Sequence, residues 1–374
     1  MTVRNPFLLE GYVSPEYFCD RVDETALLTR HLTNGCNVAL IAERRLGKSG
    51  LIKNCFYQPQ IRQNYYTFYV DIYETKNLAE LVYVLGKSVL GMLQSQGRRA
   101  LDTFLGFLKS LRAGVTFDIN GNPDWGITVG DISMPDVTLD EIFTYLANAD
   151  RPCLVAIDEF QVIADYPEKT VEAALRRRMQ ECHNANFVFS GSKRHMMSEI
   201  FASRARPFYN GASIMTLAPI REERYLDFAR RHLSAHGQDI TPEAFHYLYQ
   251  FYEGITWYVQ YVLNILYSTE TSSRPFTIAD VSEAIDTVLA HQQFVYKSLL
   301  FQLSARQKQL LLALAAEGKV SQPLSKGFLQ KYKMTSSMVQ SSLKVLLEHD
   351  FVIGDDGEYM VYDRFMAQWL KTVI

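Results

Sequence analysis

The feature that most constrains the fold of this 374-residue chain is the tripeptide Gly47-Lys48-Ser49, which stands between an apolar run and an amphipathic one. The run before it, Asn37 to Ile41 (NVALI), is short and apolar on both faces, which is typical of a buried strand. The run after it, Gly50 to Phe56, favours a helix. Backbone N–H groups at the start of a helix form a cradle for phosphate oxygens. The pattern therefore predicts a strand, a phosphate-binding loop and a helix, in that order.

The residues around this tripeptide match the Walker A motif at every position except the first, where Ala42 replaces glycine. Gly47 lets the backbone approach phosphates because it has no Cβ. We expect Lys48 to reach the β- and γ-phosphates of a nucleotide and the Ser49 hydroxyl to bind magnesium. The predicted nucleotide-binding residues are Ala42, Glu43, Arg44, Arg45, Leu46, Gly47, Lys48, Ser49 and Gly50.

A second apolar run, Cys153 to Ile157 (CLVAI), ends directly in Asp158 and Glu159, which is the pattern of a Walker B strand. We expect Asp158 to hold magnesium and Glu159 to orient and polarise the attacking water. The alternative is a core strand that ends in surface acids. Because a Walker A candidate precedes this strand, we favour the first interpretation and predict ATP (or its product ADP) and Mg²⁺ as ligands.

A third run, Phe187 to Ser190, also has the pattern of a buried strand, and it ends in small hydroxyl residues. Ser190 and Ser192 are candidates for a polar sensor of the γ-phosphate or of the attacking water. The alternative is a strand-to-loop junction with a capping serine. One of the three arginines that follow is a candidate arginine finger that supplies charge to a γ-phosphate, against the commoner alternative of surface arginine. These are Arg194, Arg204 and Arg206, of which Arg206 is our candidate.

Short apolar runs alternate with helical ones over the first two hundred residues, which predicts an α/β fold with a parallel sheet covered by helices. Tyr65 to Ile72 is a further buried strand, and residues 115–129 have the pattern of a β-hairpin that leaves the core. From Arg221 onward the strand signal ends and helical periodicity continues. We predict a P-loop NTPase core over residues 1–220 and an all-helical lid over residues 221–303.

Within the lid segment two helix starts are well marked by their capping residues. Thr241 precedes a proline at the first helical position, and Thr277 with Asp280 has the spacing of a capping box. The predicted helices are Glu222 to His236, Pro242 to Glu253, Thr256 to Tyr267 and Ile278 to Leu303.

Residues 304–374 have the pattern of a winged helix-turn-helix. Three helical runs precede two short strands, FVIG and EYMVY, that are joined by a turn at residues 355–357. The helical runs are Ala305 to Glu317, Lys326 to Tyr332 and Ser336 to Glu348, with the third in the recognition position.

The partner of this module stays open between DNA and protein. The recognition helix contains Lys344 as its single basic residue, with Lys331 and Lys333 just before it, and residues 304–374 carry nine basic against seven acidic residues. A tight phosphate-neutralising surface usually needs more positive charge. A protein partner would instead use the apolar and hydroxyl-rich face that includes Met338 and Val339.

Composition excludes several other classes of protein. The net charge of −3 predicts no whole-molecule attraction to nucleic acid or to anionic membranes. The N-terminal sequence lacks the pattern of a signal peptide, and the longest apolar stretch is too short to span a bilayer. The five cysteines are scattered without a CxxC pair, which favours a reducing compartment. We therefore expect a soluble cytoplasmic protein without a membrane partner, and the oligomeric state stays open.

The motifs together resemble those of the archaeal-type ATPases, which belong to the STAND branch (signal-transduction ATPases with numerous domains) of the AAA+ and related P-loop proteins. The resemblance rests on Arg44 to Ser49, on Asp158-Glu159-Phe160-Gln161 and on Phe189 to Ser192. The segment Phe18 to Glu24 resembles the family's N-terminal box, which lies near the adenine. The lid helix that normally begins Gly-x-Pro has Thr256 in place of the proline. The C-terminal segment, Tyr359 to Leu370, resembles the winged helix commonly fused to these ATPases.

The resemblance implies a switch that binds ATP with Mg²⁺, hydrolyses it slowly and moves its lid against the core on nucleotide exchange. Such a device couples nucleotide state to the attached recognition module. Two alternatives from other classes remain. One is a DNA-binding regulator in which the nucleotide is structural, and the other is a scaffold that binds protein through its winged helix.

Overall fold

A computed structural model of the chain describes residues 5–110, 116–117, 123–124, 128–269, 274–355 and 357–373. Three short 3-10 helices cover Pro15–Tyr17, Val129–Asp131 and Phe160–Asp165. The strands are β1 (Val38–Ile41), β2 (Tyr66–Asp71), β3 (Thr116–Phe117), β4 (Pro123–Asp124), β5 (Cys153–Asp158), β6 (Ala185–Gly191), β7 (Ser213–Thr216), β8 (Val352–Asp355) and β9 (Glu358–Val361). The helices are α1 (Val22–Thr33), α2 (Lys48–Tyr57), α3 (Pro59–Asn64), α4 (Leu78–Gln94), α5 (Arg98–Phe107), α6 (Pro135–Asn148), α7 (Val171–Glu181), α8 (Arg194–Ala202), α9 (Glu222–Ser234), α10 (Pro242–Phe251), α11 (Thr256–Ser268), α12 (Ile278–Phe301), α13 (Ala305–Glu317), α14 (Lys326–Lys331), α15 (Ser336–Glu348) and α16 (Arg364–Thr372).

The core is a five-stranded sheet in the order β2-β5-β6-β1-β7, and every neighbouring pair is parallel. Its strands β1 and β5 are buried along their whole length, because helices cover both faces of a parallel sheet. The four strands predicted from the sequence all belong to this sheet. The fifth strand, β7, was not predicted, because its sequence SIMT lacks the longer apolar run of the other strands. In the structure Met215 is the single buried residue of β7.

The predicted hairpin near residues 115–129 is described only in part. Strands β3 and β4 pair antiparallel, with Thr116 opposite Asp124 and Phe117 opposite Pro123. Residues 115, 118–122 and 125–127 of that prediction lie outside the described residues. Its last residue was wrong, because Val129 begins a 3-10 helix.

The described residues form two compact units. One spans Gly11–Ala218 and contains the sheet, and the other joins the described residues of Met1–Glu10 to those of Pro219–Ile374. The boundaries at residues 220 and 303 that the sequence suggests stay predictions.

Four helices, α9 to α12, occupy the predicted lid segment and begin at the predicted residues. The Thr241 side chain accepts from the backbone N–H of Ala244, and Thr277 with Asp280 forms the expected capping box. Each cap satisfies a backbone N–H that has no partner inside the first helical turn.

The C-terminal module has the predicted winged-helix elements. Helices α13, α14 and α15 precede the antiparallel pair β8 and β9, and Val320 forms an isolated bridge with Tyr359. The structure adds α16. The ring of its Phe365 packs against four aromatic side chains of the lid, with ring centroids 4.9–5.8 Å apart. Those side chains are Tyr252, Trp257, Tyr258 and Tyr261.

The N-terminal segment, residues 5–9, lies along α11. Three side chains on one face of that helix donate to successive backbone carbonyls of the N-terminal segment: Asn264 to Phe7 at 2.7 Å, Gln260 to Leu8 at 3.1 Å and Trp257 to Leu9 at 3.1 Å. The Phe7 ring is fully buried among aromatic side chains of α9 and α11.

Across the described part of the chain, no helix is both long enough and apolar enough to cross a membrane.

Candidate functional site

Strand β6 lies between β1 and β5, so three predicted site segments meet at one edge of the sheet. Ile41 pairs with Gly191, and Ile157 pairs with Phe189. Because the carboxyl ends of parallel strands lie at the same edge, this topology places residues 42–49, Asp158-Glu159 and Ser190 to Ser192 side by side. The structure thus brings together most of the predicted site residues.

The loop after β1 has the backbone of a phosphate cradle. Gly47 has a φ of +91° and caps the N-terminus of α2, which begins at Lys48. That left-handed φ favours glycine, and Arg45 also has a positive φ, of 68°. Left-handed residues in a loop turn successive N–H groups toward one side, which suits an anion. A Cβ built on Gly47 would meet nothing within 4 Å, so the loop leaves open space there.

Lys48 is buried inside this loop, with 6% of its surface exposed. Its ammonium donates to the carbonyl oxygens of Ala42 at 2.9 Å and of Glu43 at 3.0 Å. Burial lowers the pKa of Lys48, and the carboxylates of Glu159 and Asp158 oppose that shift. A buried cation whose hydrogen-bond acceptors among the described residues are neutral carbonyls is well placed to accept an anionic ligand.

Asp158 joins the loop to the end of β5. Its Oδ2 accepts a hydrogen bond from the Ser49 hydroxyl at 2.6 Å and another from the Tyr69 hydroxyl. Burial alone would raise the pKa of Asp158, but these two hydrogen bonds and the Lys48 charge bring it below its usual value. Burial and the Asp158 charge raise the pKa of Tyr69, so that hydroxyl keeps its proton and donates.

Glu159 follows with a left-handed backbone, φ 56°, which is uncommon for a residue with a side chain. Its Oε2 accepts from the Ser192 hydroxyl at 2.8 Å and from the Gln161 amide. Arg44 Nε of the loop donates to the same Ser192 hydroxyl at 3.3 Å. A strained backbone and two side-chain donors thus fix one carboxylate oxygen beside the phosphate-binding loop.

Ser190 is fully buried at the end of β6. Its hydroxyl contributes to the low pKa of Asp158, yet it makes no hydrogen bond of normal geometry within the described residues. A Cβ at the next residue, Gly191, would lie 2.4 Å from Met197 Sδ and 2.5 Å from Gln161 Oε1, so a side chain there would require both neighbours to move.

Arg206 lies among other partners. Its guanidinium forms ion pairs with Glu172 at 2.8 Å and with Glu199 at 3.7 Å. Of the three predicted arginines, Arg194 is the one with an ion pair to the loop, to Glu43 at 3.6 Å. The finger role of Arg206 remains a prediction, and its position in this structure does not support it.

Sequence reasoning missed Tyr69 and the contacts of Gln161 and Arg21. Arg21 is buried, and its guanidinium donates to the Leu46 carbonyl of the loop at 3.1 Å and to the Ala218 carbonyl at 2.7 Å. The resemblance of the segment Phe18 to Glu24 to a box near the adenine was the one indication in the sequence that Arg21 lies close to the site. Tyr69 had no such signal, because a tyrosine in a buried strand is most simply explained as core.

Two aromatic side chains flank the other end of the loop. The Phe18 ring packs against Gly50 so closely that a Cβ there would lie 3.0 Å from it. Tyr12 contacts the Phe18 ring and donates to Asn54 Oδ1 of α2 at 2.8 Å. A side chain at residue 50 would therefore require the Phe18 ring to shift, and the N-terminal box lies against the first turns of α2.

The C-terminal module matches a family model described as a probable winged helix domain over residues 294–372. No curated protein matches the chain in sequence. Among solved structures, the Walker-type ATPase of Pyrococcus abyssi is similar over 98% of this chain and 99% of its own, with a TM-score of 0.65 and 16% identity.

Two Aeropyrum pernix proteins are also similar. The ORC2 protein, solved in ADPNP and ADP complexes, has a TM-score of 0.56 and 14% identity over 99% of this chain and 97% of its own. The ORC1 protein, solved in complex with DNA, has a TM-score of 0.54 and 13% identity over 99% of this chain and 96% of its own. At these identities the comparisons show the fold. They confirm the predicted P-loop ATPase fold with a C-terminal winged helix.

Proposed function

We propose that this chain binds ATP with Mg²⁺ at the carboxyl edge of β1, β5 and β6 and hydrolyses it slowly. The observation that carries the proposal is the hydrogen bond from Ser49 to Asp158 beside the loop-held ammonium of Lys48. Three motif residues, two from the start of α2 and one from the end of β5, converge where the fold leaves space for phosphates. Nucleotide complexes among proteins of the same fold support this assignment.

The donor set suits magnesium. A serine hydroxyl and a carboxylate are oxygen ligands, which Mg²⁺ prefers, and this ion usually takes one or two protein ligands and completes its shell with phosphates and water. The described residues contain no group of three or more His, Cys, Asp or Glu that could enclose a metal. Ser49 and Asp158 would therefore hold Mg²⁺ together with the nucleotide, and the ion would neutralise charge on the phosphates.

The remaining roles follow from position. The loop N–H groups and Lys48 would bind the phosphates, and Lys48 would exchange its carbonyl partners for phosphate oxygens. Glu159 would accept the proton of the attacking water at its carboxylate, which Ser192 and Gln161 hold in place. Ser190, whose hydroxyl lacks a regular partner among the described residues, and Ser192 would sense the γ-phosphate. Arg194, rather than Arg206, has the better position to add positive charge.

We further propose that the nucleotide state controls the winged helix. Phe365 and its four aromatic neighbours tie α16 to α11 and to the residue after α10. In addition, Tyr258 Oη accepts from the Arg364 backbone N–H at 2.9 Å. Since the lid helices and the winged helix belong to one compact unit, a movement of the lid would carry the winged helix with it. A switch of the STAND type in the cytoplasm remains our proposal for the finer classification.

DNA is the proposed partner of the module, with a protein as the alternative. The DNA complex of the ORC1 protein and the winged-helix family support DNA. The pairing of lysines argues for weak binding, because Lys331 pairs with Glu317 at 2.6 Å and Lys344 lies 3.8 Å from Glu348. Val339, which we had placed on a protein-docking face, is fully buried, so that part of the protein alternative was wrong.

Titration of the full chain with a fluorescent ATP analogue, with and without Mg²⁺, tests the nucleotide site directly. We expect saturable binding that Mg²⁺ strengthens, followed by slow phosphate release. Absence of binding in both conditions would refute the nucleotide site and, with it, the proposed switch.

A further inference from the structure

The lid carries an open groove of about 820 Å³ between α9, α10 and the start of α12. Its apolar residues are Leu226, Tyr247, Phe251 and Ile278 together with Pro242, and Ile278 is 46% exposed although it is aliphatic. The polar lining consists of Glu222, Glu223, Glu243, His246 and Gln250.

The charge of this groove is negative. Three of its ten lining residues are glutamates and none is lysine or arginine. His246 Nδ1 lies 2.9 Å from Glu222 Oε1, which can accept a hydrogen bond from it, whereas Glu223 and Glu243 are exposed. An apolar floor with an acidic rim fits a ligand that is apolar at its centre and basic at its edges.

The same unit presents a ridge with the opposite character at the other end of α12. Phe294 is 81% exposed and Phe301 is 88% exposed. They are two helical turns apart and so share one face, with the exposed Lys297 between them in sequence. Lys308 Nζ lies 5.6 Å from the centroid of the Phe301 ring.

The ridge is basic because its sequence has no acid to balance these cations. Residues 287–316 contain Lys297, Arg306 and Lys308 and no aspartate or glutamate. Exposure of two phenylalanine rings to this extent is costly in water, and aromatic residues are enriched at the centre of protein interfaces. The cations around them favour a partner surface of negative charge.

We propose that the Phe294–Phe301 ridge of one copy docks in the acidic groove of a second copy. The two surfaces are complementary in both charge and polarity. Ile278 of the groove and Phe294 of the ridge are on the same continuous helix, roughly 24 Å apart at 1.5 Å per residue, so the ridge cannot fill the groove of its own molecule. Each chain therefore offers one ridge and one groove, and the contact is heterologous, which leads to a closed ring or a chain of copies.

Sedimentation velocity of the full chain over a concentration series, with and without ATP, tests the proposal. We expect reversible assembly that weakens as salt rises, because the charges at the rim are exposed. The ridge variant Phe294→Ser/Phe301→Ser and the groove variant Glu223→Lys/Glu243→Lys should each shift assembly to at least about tenfold higher concentration. The control Glu283→Lys/Glu358→Lys reverses two exposed glutamates of the same unit outside the groove and should assemble as the parent does.

Mixing the two variants distinguishes docking from unfolding or general aggregation. The groove variant retains its ridge and the ridge variant retains its groove. At a concentration where the parent assembles and each variant alone does not, an equimolar mixture should therefore form a heterodimer. Circular dichroism and melting curves show that each variant is folded. A parent that stays monomeric at every concentration, variants that assemble as the parent does, or a mixture that stays monomeric would each overturn the proposal.

Discussion

The Ser49 hydroxyl donates a hydrogen bond to Asp158 Oδ2 at 2.6 Å, although the two residues are 109 positions apart in the sequence. The contact joins the phosphate-binding loop to the strand that supplies the acid. The hydroxyl and carboxylate oxygens lie together and are both of the kind that Mg²⁺ prefers. Loss of the carboxylate charge should therefore weaken the binding of Mg²⁺ more than the binding of the nucleotide. We expect Asp158→Asn to reduce the stimulation of ATP binding by Mg²⁺, measured as the ratio of Kd values with EDTA and with Mg²⁺. An unchanged ratio would remove Asp158 from the metal site.

Lys48→Ala should abolish or strongly weaken ATP binding. A charge-assisted contact to phosphate contributes on the order of 1.5–3 kcal/mol, so the affinity should fall roughly 10- to 150-fold. The fold should persist, because the hydrogen bonds of the lysine within the described residues go to two carbonyls of its own loop. Calorimetric titration measures the affinity, with a melting curve as the folding control. Parental affinity in a folded variant contradicts the assignment.

Glu159→Gln should bind ATP at least as well as the parent and hydrolyse it far more slowly. The amide keeps the size of the side chain and can still accept from Ser192, but it cannot take a proton from water. A positioned general base contributes roughly 10²- to 10⁴-fold, so a loss of that order is expected in a single-turnover assay. A parental rate would show that Glu159 is not the base, and a parent without turnover would show a binding protein rather than an ATPase.

The sequence was sufficient to predict the elements whose signals are local. The strands that end at Ile41 and Asp158 are short and apolar on both faces, and the caps at Thr241 and Thr277 involve residues within one helical turn. Local sequence is sufficient in these cases. An apolar run indicates a strand that is buried on both faces, and the backbone N–H groups at the start of a helix are satisfied by a side chain within the first turn.

Features that depend on distant partners could not be predicted. The order of the strands, with β6 between β1 and β5, is set by packing of the whole core and has no periodicity to mark it. Tyr69 meets Asp158 only because β2 pairs with β5. Arg206 resembled a finger by its position in the sequence, but its ion-pair partners are Glu199 and the more distant Glu172, which packing of the core brings to it.

Tyr69→Phe should strengthen Mg²⁺ binding. Tyr69 and Ser49 both donate to Asp158 Oδ2, so the phenol competes with a cation for that oxygen. One hydrogen bond contributes about 0.5–1.5 kcal/mol net, which corresponds to an affinity gain of roughly tenfold or less. The control Tyr66→Phe removes a tyrosine–carboxylate contact, to Asp150, from the same strand. Mg²⁺ titration of ATP binding measures both, and a weaker affinity in Tyr69→Phe would mean that the phenol orients the carboxylate instead.

The winged helix should bind duplex DNA weakly and with a small salt dependence. Two of its three candidate lysines already have carboxylate neighbours, and the recognition helix α15 exposes mainly hydroxyl and amide side chains. Each phosphate contact adds roughly 0.9 to the slope of log affinity against log salt, so at most three lysines give a slope near 3 or below. The triple variant Lys331→Glu/Lys333→Glu/Lys344→Glu should lose this binding, whereas Lys371→Glu, on the exposed end of α16, should retain it. Fluorescence anisotropy with random duplex DNA at two salt concentrations measures the binding. Salt-sensitive binding that only the triple variant loses would support DNA as the partner. No binding by the parent at low salt would leave a protein partner as the better proposal.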